Sequence, residues 1–274
     1  MTVREAGLAA PPGWPAKRLD THAPTAQSDR MVATPSALAT APAPHPALRT
    51  LLSRPCPAVM GVLNVTPDSF SDGGQFLAPD RALAQARRLV AEGADIIDIG
   101  AESTRPYGGA EPVTAEQEMA RLRPILAQIV SLGVPVSIDS MKSSVVAFAL
   151  DAGAAIANDV WGLQRDPGMA SLIAERNVPI IIMHNRDSAD PAIDIMKDIS
   201  AFFARSLDIA AKAGIREGNI VLDPGIGFGK TPEQSMTALA RLDELRGFGP
   251  PLLVGASRKR FIASVIPSEP QVCG

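Results

Sequence analysis

The sequence has 274 residues, which is enough for one large domain with a substantial core. A formal net charge of -3 and 4% aromatic residues argue against a nucleic-acid partner, and no apolar run reaches the ~18 residues of a membrane span. Cys56 and Cys273 make no disulfide framework, and three scattered histidines argue against a zinc cluster. This cysteine usage predicts a cytoplasmic protein.

Residues 1–55 are rich in Ala and Pro and show no sustained apolar period. Because proline removes backbone donors and interrupts helices, we expect a disordered leader over 1–55. Its Arg and Ser content leaves a targeting peptide open, but it lacks the apolar core of a secretory signal. An extension without a role, with Met31 as an alternative start, is the simpler interpretation. The folded domain would then span 56–274.

From Val59 onward, short apolar runs alternate with amphipathic stretches. Near-continuous Val, Ile and Leu is typical of parallel strands that are buried on both faces. Seven runs have this character, at 59–64, 95–100, 134–139, 154–159, 179–184, 219–223 and 251–256.

The segments between these runs carry helix signals. A proline in the first turn or a capping box marks a start, and a glycine marks an end. Such signals stand at Pro79 and Gly93, at Thr114, Gln117 and Gly133, and at Thr231, Gln234 and Gly247. Alternating strands and helices predict a parallel α/β fold, and seven units in about 200 residues suit a TIM-type (β/α)8 barrel better than a doubly wound sheet.

Polar residues stand at the carboxyl ends of almost all the apolar runs. One such residue could simply cap the next helix, but seven in register predict a hydrogen-bonding pocket, because strand ends converge on one face of a barrel. They are Asn64, Asp98, Asp139, Asn158 with Asp159, His184, Asp223 and Ser257.

The loops after several strands are unusual. The first two, at 64–74 and 102–109, are polar and glycine-ended, and both are typical of mobile loops that close over a substrate. The loop at 223–231 contains Gly-Lys-Thr, but Pro224 stands where a P-loop needs glycine. We expect its glycines instead to let the backbone pass close to a flat ligand beside Phe228. The cations at 258–260 suggest an anionic substrate group.

Together these segments resemble dihydropteroate synthases. The motifs NVTPDSFSDGG at 64–74 and DIGAESTRP at 98–106 match two long family signatures. Shorter motifs follow in the family's order, at 137–140, 158–160, 182–184, 223–230 and 257–259. The resemblance covers about residues 57–266. It implies a transferase of folate biosynthesis, a known sulfonamide target, which joins 6-hydroxymethyl-7,8-dihydropterin diphosphate to 4-aminobenzoate with Mg²⁺ as cofactor.

The resemblance also implies roles for individual residues. The pterin ring would be held by Asp98, Asp139, Asn158, Asp223 and Lys259. Asn64 would bind Mg²⁺ beside the diphosphate. Closing loops would contribute Phe70, Asp72, Arg105 and Pro106, while Thr104, Phe228 and Ser257 would lie on the aminobenzoate side. Among these, Asp72, Arg105 and Lys259 are the candidate catalytic residues.

Only fifteen residues follow Lys259. The family continues there with a helix, an eighth strand carrying Arg-x-His and a final helix, so we expect a barrel truncated after strand seven. Such a truncation would weaken the diphosphate site and the homodimer that the resemblance implies. Two other functions stay open: a non-catalytic pterin-binding remnant and a pterin-binding methyltransferase domain.

Overall fold

The computed structural model describes residues 44–66, 78–102, 113–257 and 259. Within them, six parallel strands form one sheet in the order β1 to β6, with each strand hydrogen-bonded to the next along the chain. The strands are β1 Met60–Asn64, β2 Ile96–Gly100, β3 Val136–Asp139, β4 Ile156–Asp159, β5 Ile180–Met183 and β6 Ile220–Asp223. All six fall inside predicted runs.

Helices lie between consecutive strands, as parallel pairing requires, and further helices precede β1 and follow β6. They are α1 Pro46–Leu52, α2 Ala78–Ala91, α3 Ala115–Leu122, α4 Leu126–Val130, α5 Ser143–Asp151, α6 Met169–Arg176, α7 Ile195–Ala213 and α8 Pro232–Ala240. Short 3-10 helices occur at Glu217–Asn219 and Leu242–Phe248. The predicted alternation of strand and helix is confirmed.

Both predicted capping boxes are present. Thr114 Oγ1 accepts from Gln117 N, and Gln117 Oε1 accepts from Thr114 N, at the start of α3. Thr231 and Gln234 repeat the arrangement at α8. These predictions succeed because a cap depends on residues only three positions apart.

Two helix ends differ from prediction. The helix expected to run to Gly133 is divided into α3 and α4, because Pro124 lacks an amide donor and disfavours helix at the preceding residue. The helix expected to run to Gly247 ends at Ala240, and a 3-10 helix follows it to Phe248 and ends at Gly249, whose φ of 97° is in the left-handed region that favours glycine.

The seventh predicted strand is reduced to one bridge. Leu222 pairs with Leu252, with Leu222 N donating to Pro251 O and Leu253 N to Leu222 O. Pro250 and Pro251 have no amide donors, so the start of this segment cannot extend a ladder. The predicted absence of an eighth strand concerns residues outside the described ranges.

The predicted leader, 1–55, overlaps the folded domain. Residues 46–52 form α1, and Leu48 and Leu51 are buried, so the predicted boundary at residue 56 lies too late in the chain. Leu48 and Leu51 pack with inward-facing residues of four strands, namely Ile96, Ile156, Ile181 and Val221. Residues from β2 and β6 meet in this one cluster, which requires the sheet to curl as a barrel does. Residues 1–43 are outside the described part.

Candidate active site

The side chains of the strands face two different environments, the core shared with the helices and the interior of the curled sheet. In β2, Ile97 and Ile99 belong to the large core shared with the helices, whereas Ile96 packs on α1 inside the curled sheet. Because side chains alternate along a strand, Asp98 shares the inner side with Ile96. The same step of two residues links Ile156 to Asn158 and Val221 to Asp223. The interior is therefore apolar at its amino-terminal end and polar at its carboxyl end.

The polar end contains buried groups without protein partners. Asn158 Nδ2 donates to Asp98 Oδ2 at 3.1 Å. Within the described residues, Asp98 Oδ1, Ser137 Oγ and Asp139 Oδ1 are buried and have no hydrogen-bond partner. Three such atoms on the neighbouring strands β2 and β3 are unusual, since buried polar atoms are nearly always paired. Their arrangement is suited to a ligand that donates several hydrogen bonds.

Burial also changes the acidity of these carboxyls. It raises the pKa of Asp98, although the nearby Ser137 hydroxyl, which is too poorly placed for a hydrogen bond, and Asn158 oppose the shift. It raises the pKa of Asp139 well above the ordinary value, and the negative charge of Asp98 adds to the effect. The pKa of Asp223 rises to about 6 because burial outweighs the hydrogen bond from Gly225 N and the nearby charges of Lys230 and Lys259. A cationic or N–H-rich ligand would relieve this cost.

Gly100 separates two oxygen-bearing side chains. In the sheet register Gly100 lies between Asn64 of β1 and Asp139 of β3. A β-carbon on Gly100 would lie 3.2 Å from Asp139 Oδ2 and 3.5 Å from Asn64 Oδ1. The missing side chain leaves space between these two oxygens, at the edge of the polar layer.

The loop after β6 carries another part of the site. Gly225 N donates to Asp223 Oδ1 at 2.7 Å, which fixes the carboxylate. The Nζ atom of Lys259 lies over the Phe228 ring, 4.0 Å from its centroid, in a cation–π contact. Ser257 is exposed at the end of the seventh segment.

Three of the predicted site residues, Asp72, Thr104 and Arg105, lie outside the described residues, as do Phe70 and Pro106. Of the predicted residues that are described, the structure joins Asp98 with Asn158 and Phe228 with Lys259. Asp159 instead caps its own turn, because its carboxylate accepts from Trp161 N and Leu163 N. In the described ranges, no group of three or more His, Cys, Asp or Glu residues could hold a metal ion.

Sequence reasoning missed two charged clusters beside the site. Lys142 Nζ donates to Glu102 Oε2 at 2.7 Å and to Glu118 Oε1 at 2.6 Å. Lys230 Nζ lies 2.7 Å from His184 Nδ1, so His184 faces a lysine and not the pocket mouth as predicted. The sequence signal for the second cluster was Lys230, which directly follows the glycines of the loop after β6.

The chain matches the family model described as pterin binding enzyme over residues 60–272. It is 49% identical to the dihydropteroate synthase of Bacillus subtilis over 214 residues, which cover 78% of this chain and 74% of that protein. The chain belongs to the dihydropteroate synthase family. As a dihydropteroate synthase it is a transferase of folate biosynthesis, as the motifs predicted.

Solved dihydropteroate synthases have the same fold. The enzyme from Clostridium difficile, in the presence of pteroic acid, is 46% identical, with a TM-score of 0.74 over 78% of this chain and 81% of that one. The Xanthomonas albilineans enzyme with 4-aminobenzoic acid is 40% identical, with a TM-score of 0.74 over 78% of each chain. The predicted TIM-barrel type is thereby confirmed. Among the described helices, none is long and apolar enough to cross a bilayer.

Proposed function

We propose that the polar layer at the carboxyl ends of β2, β3, β4 and β6 holds the pterin ring of the substrate. The chain joins 6-hydroxymethyl-7,8-dihydropterin diphosphate to 4-aminobenzoate and releases diphosphate, which is the family reaction. The observation that carries the residue assignment is the pair of buried, unpartnered oxygens, Asp98 Oδ1 and Asp139 Oδ1.

The edge of a pterin is chemically complementary to this layer. It presents an amino group and ring N–H donors beside a carbonyl and ring-nitrogen acceptors. The carboxylates of Asp98, Asp139 and Asp223 can accept from the donors, while Asn158 and Lys259 can donate to the acceptors. Each polar atom left unpaired in such a slot costs about 1–3 kcal/mol, so the matching pattern selects the ring.

The Mg²⁺ of the family fits the oxygen donors beside Gly100. Asn64 Oδ1 is a hard neutral ligand of the kind that Mg²⁺ prefers, and it borders the space beside Gly100 together with Asp139 Oδ2. We assign Asn64 as the protein ligand, with the diphosphate supplying further oxygens. When bound, the ion neutralises the charge that builds on the departing diphosphate.

The second substrate fits the side of the pocket at Phe228. The ring of Phe228 offers a flat apolar surface for an aminobenzoate, and Lys259 supplies positive charge above it. We place Ser257 and Thr104 on the same side, and Asp72 and Arg105 on loops that close over the pair. An X. albilineans relative solved with 4-aminobenzoic acid supports this choice of ligand.

The chemistry needs no protein nucleophile. The carbon–oxygen bond to diphosphate breaks, and the carbon left behind is cation-like and can be stabilised by the neighbouring carboxylates. The amine of 4-aminobenzoate forms the new carbon–nitrogen bond and loses a proton. Holding the two substrates in line provides much of the acceleration.

A coupled assay tests this function. The purified chain is mixed with pterin diphosphate, 4-aminobenzoate and Mg²⁺, and diphosphate and dihydropteroate are measured together. We expect both products in equal amounts, and loss of both in Asp98→Asn but not in Asp208→Asn, which alters an exposed residue of α7. Pterin binding without turnover would favour the non-catalytic remnant, and methyl transfer from a methylated folate would favour the methyltransferase.

Two assignments stay predictions. The cytoplasmic location rests on cysteine usage, and fractionation of cells that express the full chain would test it. The homodimer rests on the family resemblance, and sedimentation of the purified chain would test it.

A further inference from the structure

A buried lysine lies behind the wall of the pterin site. Lys230 is 2% exposed. Its Nζ atom lies 2.7 Å from His184 Nδ1, 2.8 Å from Gly225 O and 3.1 Å from Phe228 O. An ammonium group has three donors and no acceptor. These three acceptors therefore use the full capacity of a protonated Lys230.

The imidazole of His184 links Lys230 to a carboxylate through two hydrogen bonds. Because Nδ1 accepts from Lys230, the ring proton is on Nε2, which donates to Asp198 Oδ2 at 3.0 Å. The same oxygen accepts from Arg186 Nη1 at 2.8 Å. Burial and the charge of Lys230 lower the pKa of His184 to about 3, which keeps the ring neutral. His184 is thus an uncharged bridge between a buried cation and Asp198 on α7.

The Lys230 ammonium is hydrogen-bonded to the loop after β6, which packs tightly against the loop after β5. The carbonyl of Gly225 accepts from Lys230, while the N–H of Gly225 donates to Asp223 Oδ1. A β-carbon on Gly225 would lie 1.9 Å from His184 O, so the backbones of the two loops are in close contact. Phe228, whose carbonyl also accepts from Lys230, carries the ring beneath Lys259. One side chain thereby contacts the backbone beside Asp223 and the backbone of Phe228.

We propose that Lys230 is a positioning residue, which sets the Asp223 carboxylate for the pterin and the Phe228 ring for the aminobenzoate. His184 and Asp198 hold the Lys230 ammonium in place from the opposite side. The proposal rests on the proposed function, because it takes Asp223 as a pterin ligand.

The network makes the site sensitive to pH. Burial lowers the pKa of Lys230 to about 7, although the negative charges nearby oppose the shift. The charged and titratable groups that face it from the surrounding elements are His184, Arg186, Asp198, Asp223 and Lys259. When Lys230 loses its proton, one of three acceptors loses its donor and the loop relaxes. Once Asp223 is ionised, above about pH 6, pterin affinity therefore falls as the pH rises through about 7.

The primary test compares Lys230→Met with Lys212→Met, a control at an exposed lysine of α7. Binding of 6-hydroxymethyl-7,8-dihydropterin diphosphate is measured by calorimetry from about pH 6 to about pH 8, on protein whose folding is verified by circular dichroism. We expect Lys230→Met to weaken binding about tenfold or more at the lower pH and to lose the alkaline decline of the wild type. A lower melting temperature with unchanged affinity and pH profile would overturn the proposal.

A second pair of variants keeps the test informative if Lys230→Met does not fold. His184→Asn offers an oxygen near the Nδ1 position and can accept from Lys230, whereas His184→Gln reaches towards Asp198 instead. We expect His184→Asn to bind within about threefold of wild type and His184→Gln to bind about tenfold more weakly. Equal affinities in these two variants would contradict the inference. A wild type that fails to bind the pterin at all would contradict the proposed function itself.

Discussion

At the scale of single residues, the unliganded site keeps groups that reduce its own stability. Asp139 has a buried carboxylate oxygen without a partner in the described residues, next to a second buried carboxyl at Asp98. Such groups cost free energy until a ligand pairs with them. Binding strength and the stability of the empty protein therefore oppose each other at these positions.

Asp139→Asn tests that opposition. Removal of a buried charge should raise the free energy of unfolding of the unliganded protein by about 1–3 kcal/mol and weaken pterin binding by about 10–100-fold. Urea denaturation and calorimetry measure the two effects, with Asp208→Asn as an exposed control. A variant that is less stable than wild type when empty would show that Asp139 has a structural role instead.

The space beside Gly100 gives a second prediction. In Gly100→Ala the new methyl group would lie 3.2 Å from Asp139 Oδ2, close enough to push that oxygen aside, and would fill the space in front of Asn64 Oδ1 at 3.5 Å. We expect a loss of turnover of about tenfold or more, with only a small change in melting temperature. Gly247→Ala is the matched control, because its β-carbon meets nothing within 4 Å. Equal turnover in the two variants would exclude a role for this space.

These residues differ in how far the sequence predicts them. Asp98, Asp139, Asn158 and Asp223 stand at strand ends, where the barrel pattern alone brings them together. His184 stands at a strand end too, but its direction depends on Lys230, 46 positions later in the chain. Contacts over such distances leave no periodic pattern in one sequence, so sequence reasoning placed His184 at the pocket mouth.

At the scale of elements, α1 covers the amino-terminal end of the barrel. Its Leu48 and Leu51 fill the interior below the polar layer, and His45 N donates to Asn219 Oδ1 just ahead of β6. The proline-rich composition around α1 concealed it, because seven residues with two buried leucines are too short for a helical period. Its apolar partners in the strands, of which Ile96 is the first and Val221 the last, are also far from α1 along the chain.

Two neighbouring leucines of α1 give a matched pair of variants. Leu51→Ala should lower the free energy of unfolding by about 2–5 kcal/mol, since it leaves a cavity in the interior. Leu52→Ala should change it by about 0.5 kcal/mol or less, because Leu52 is 50% exposed. Urea denaturation measures both. Equal free energies of unfolding in the two variants would show that Leu51 of α1 does not stabilise the interior of the barrel.

At the scale of the whole molecule, the fold concentrates four carboxyls with raised pKa values, Asp98, Asp139, Asp159 and Asp223, at one end of a parallel sheet. The pKa of Asp223 in the folded protein, about 6, lies above its ordinary value of 3.8. A raised folded pKa means that the folded state holds its proton more tightly than the unfolded chain does. Its stabilising contribution is therefore present below about pH 4 and is lost as the pH rises through about 6.

Asp223→Asn should remove this contribution. Relative to wild type, the unliganded variant should gain about 2 kcal/mol of unfolding free energy between about pH 4 and about pH 7. The difference between the two proteins cancels the titration of groups that do not interact with Asp223, and Asn can still accept from Gly225 N. Denaturant unfolding across that range measures it, and a difference that does not change with pH would contradict the assignment.

In several strands, an inward-facing apolar residue and an inward-facing polar residue are only two positions apart. This spacing affects how ligand specificity can evolve. Ile96 and Asp98, like Val221 and Asp223, occupy the same strand and the same inner side, yet one packs in the apolar interior and the other lies in the polar layer proposed to hold the pterin. A substitution at the upper position can alter ligand preference while the floor and the outward-facing Ile97 and Ile99 keep the strand in place. New specificities are therefore accessible by single replacements, in nature or by design, without rebuilding the barrel.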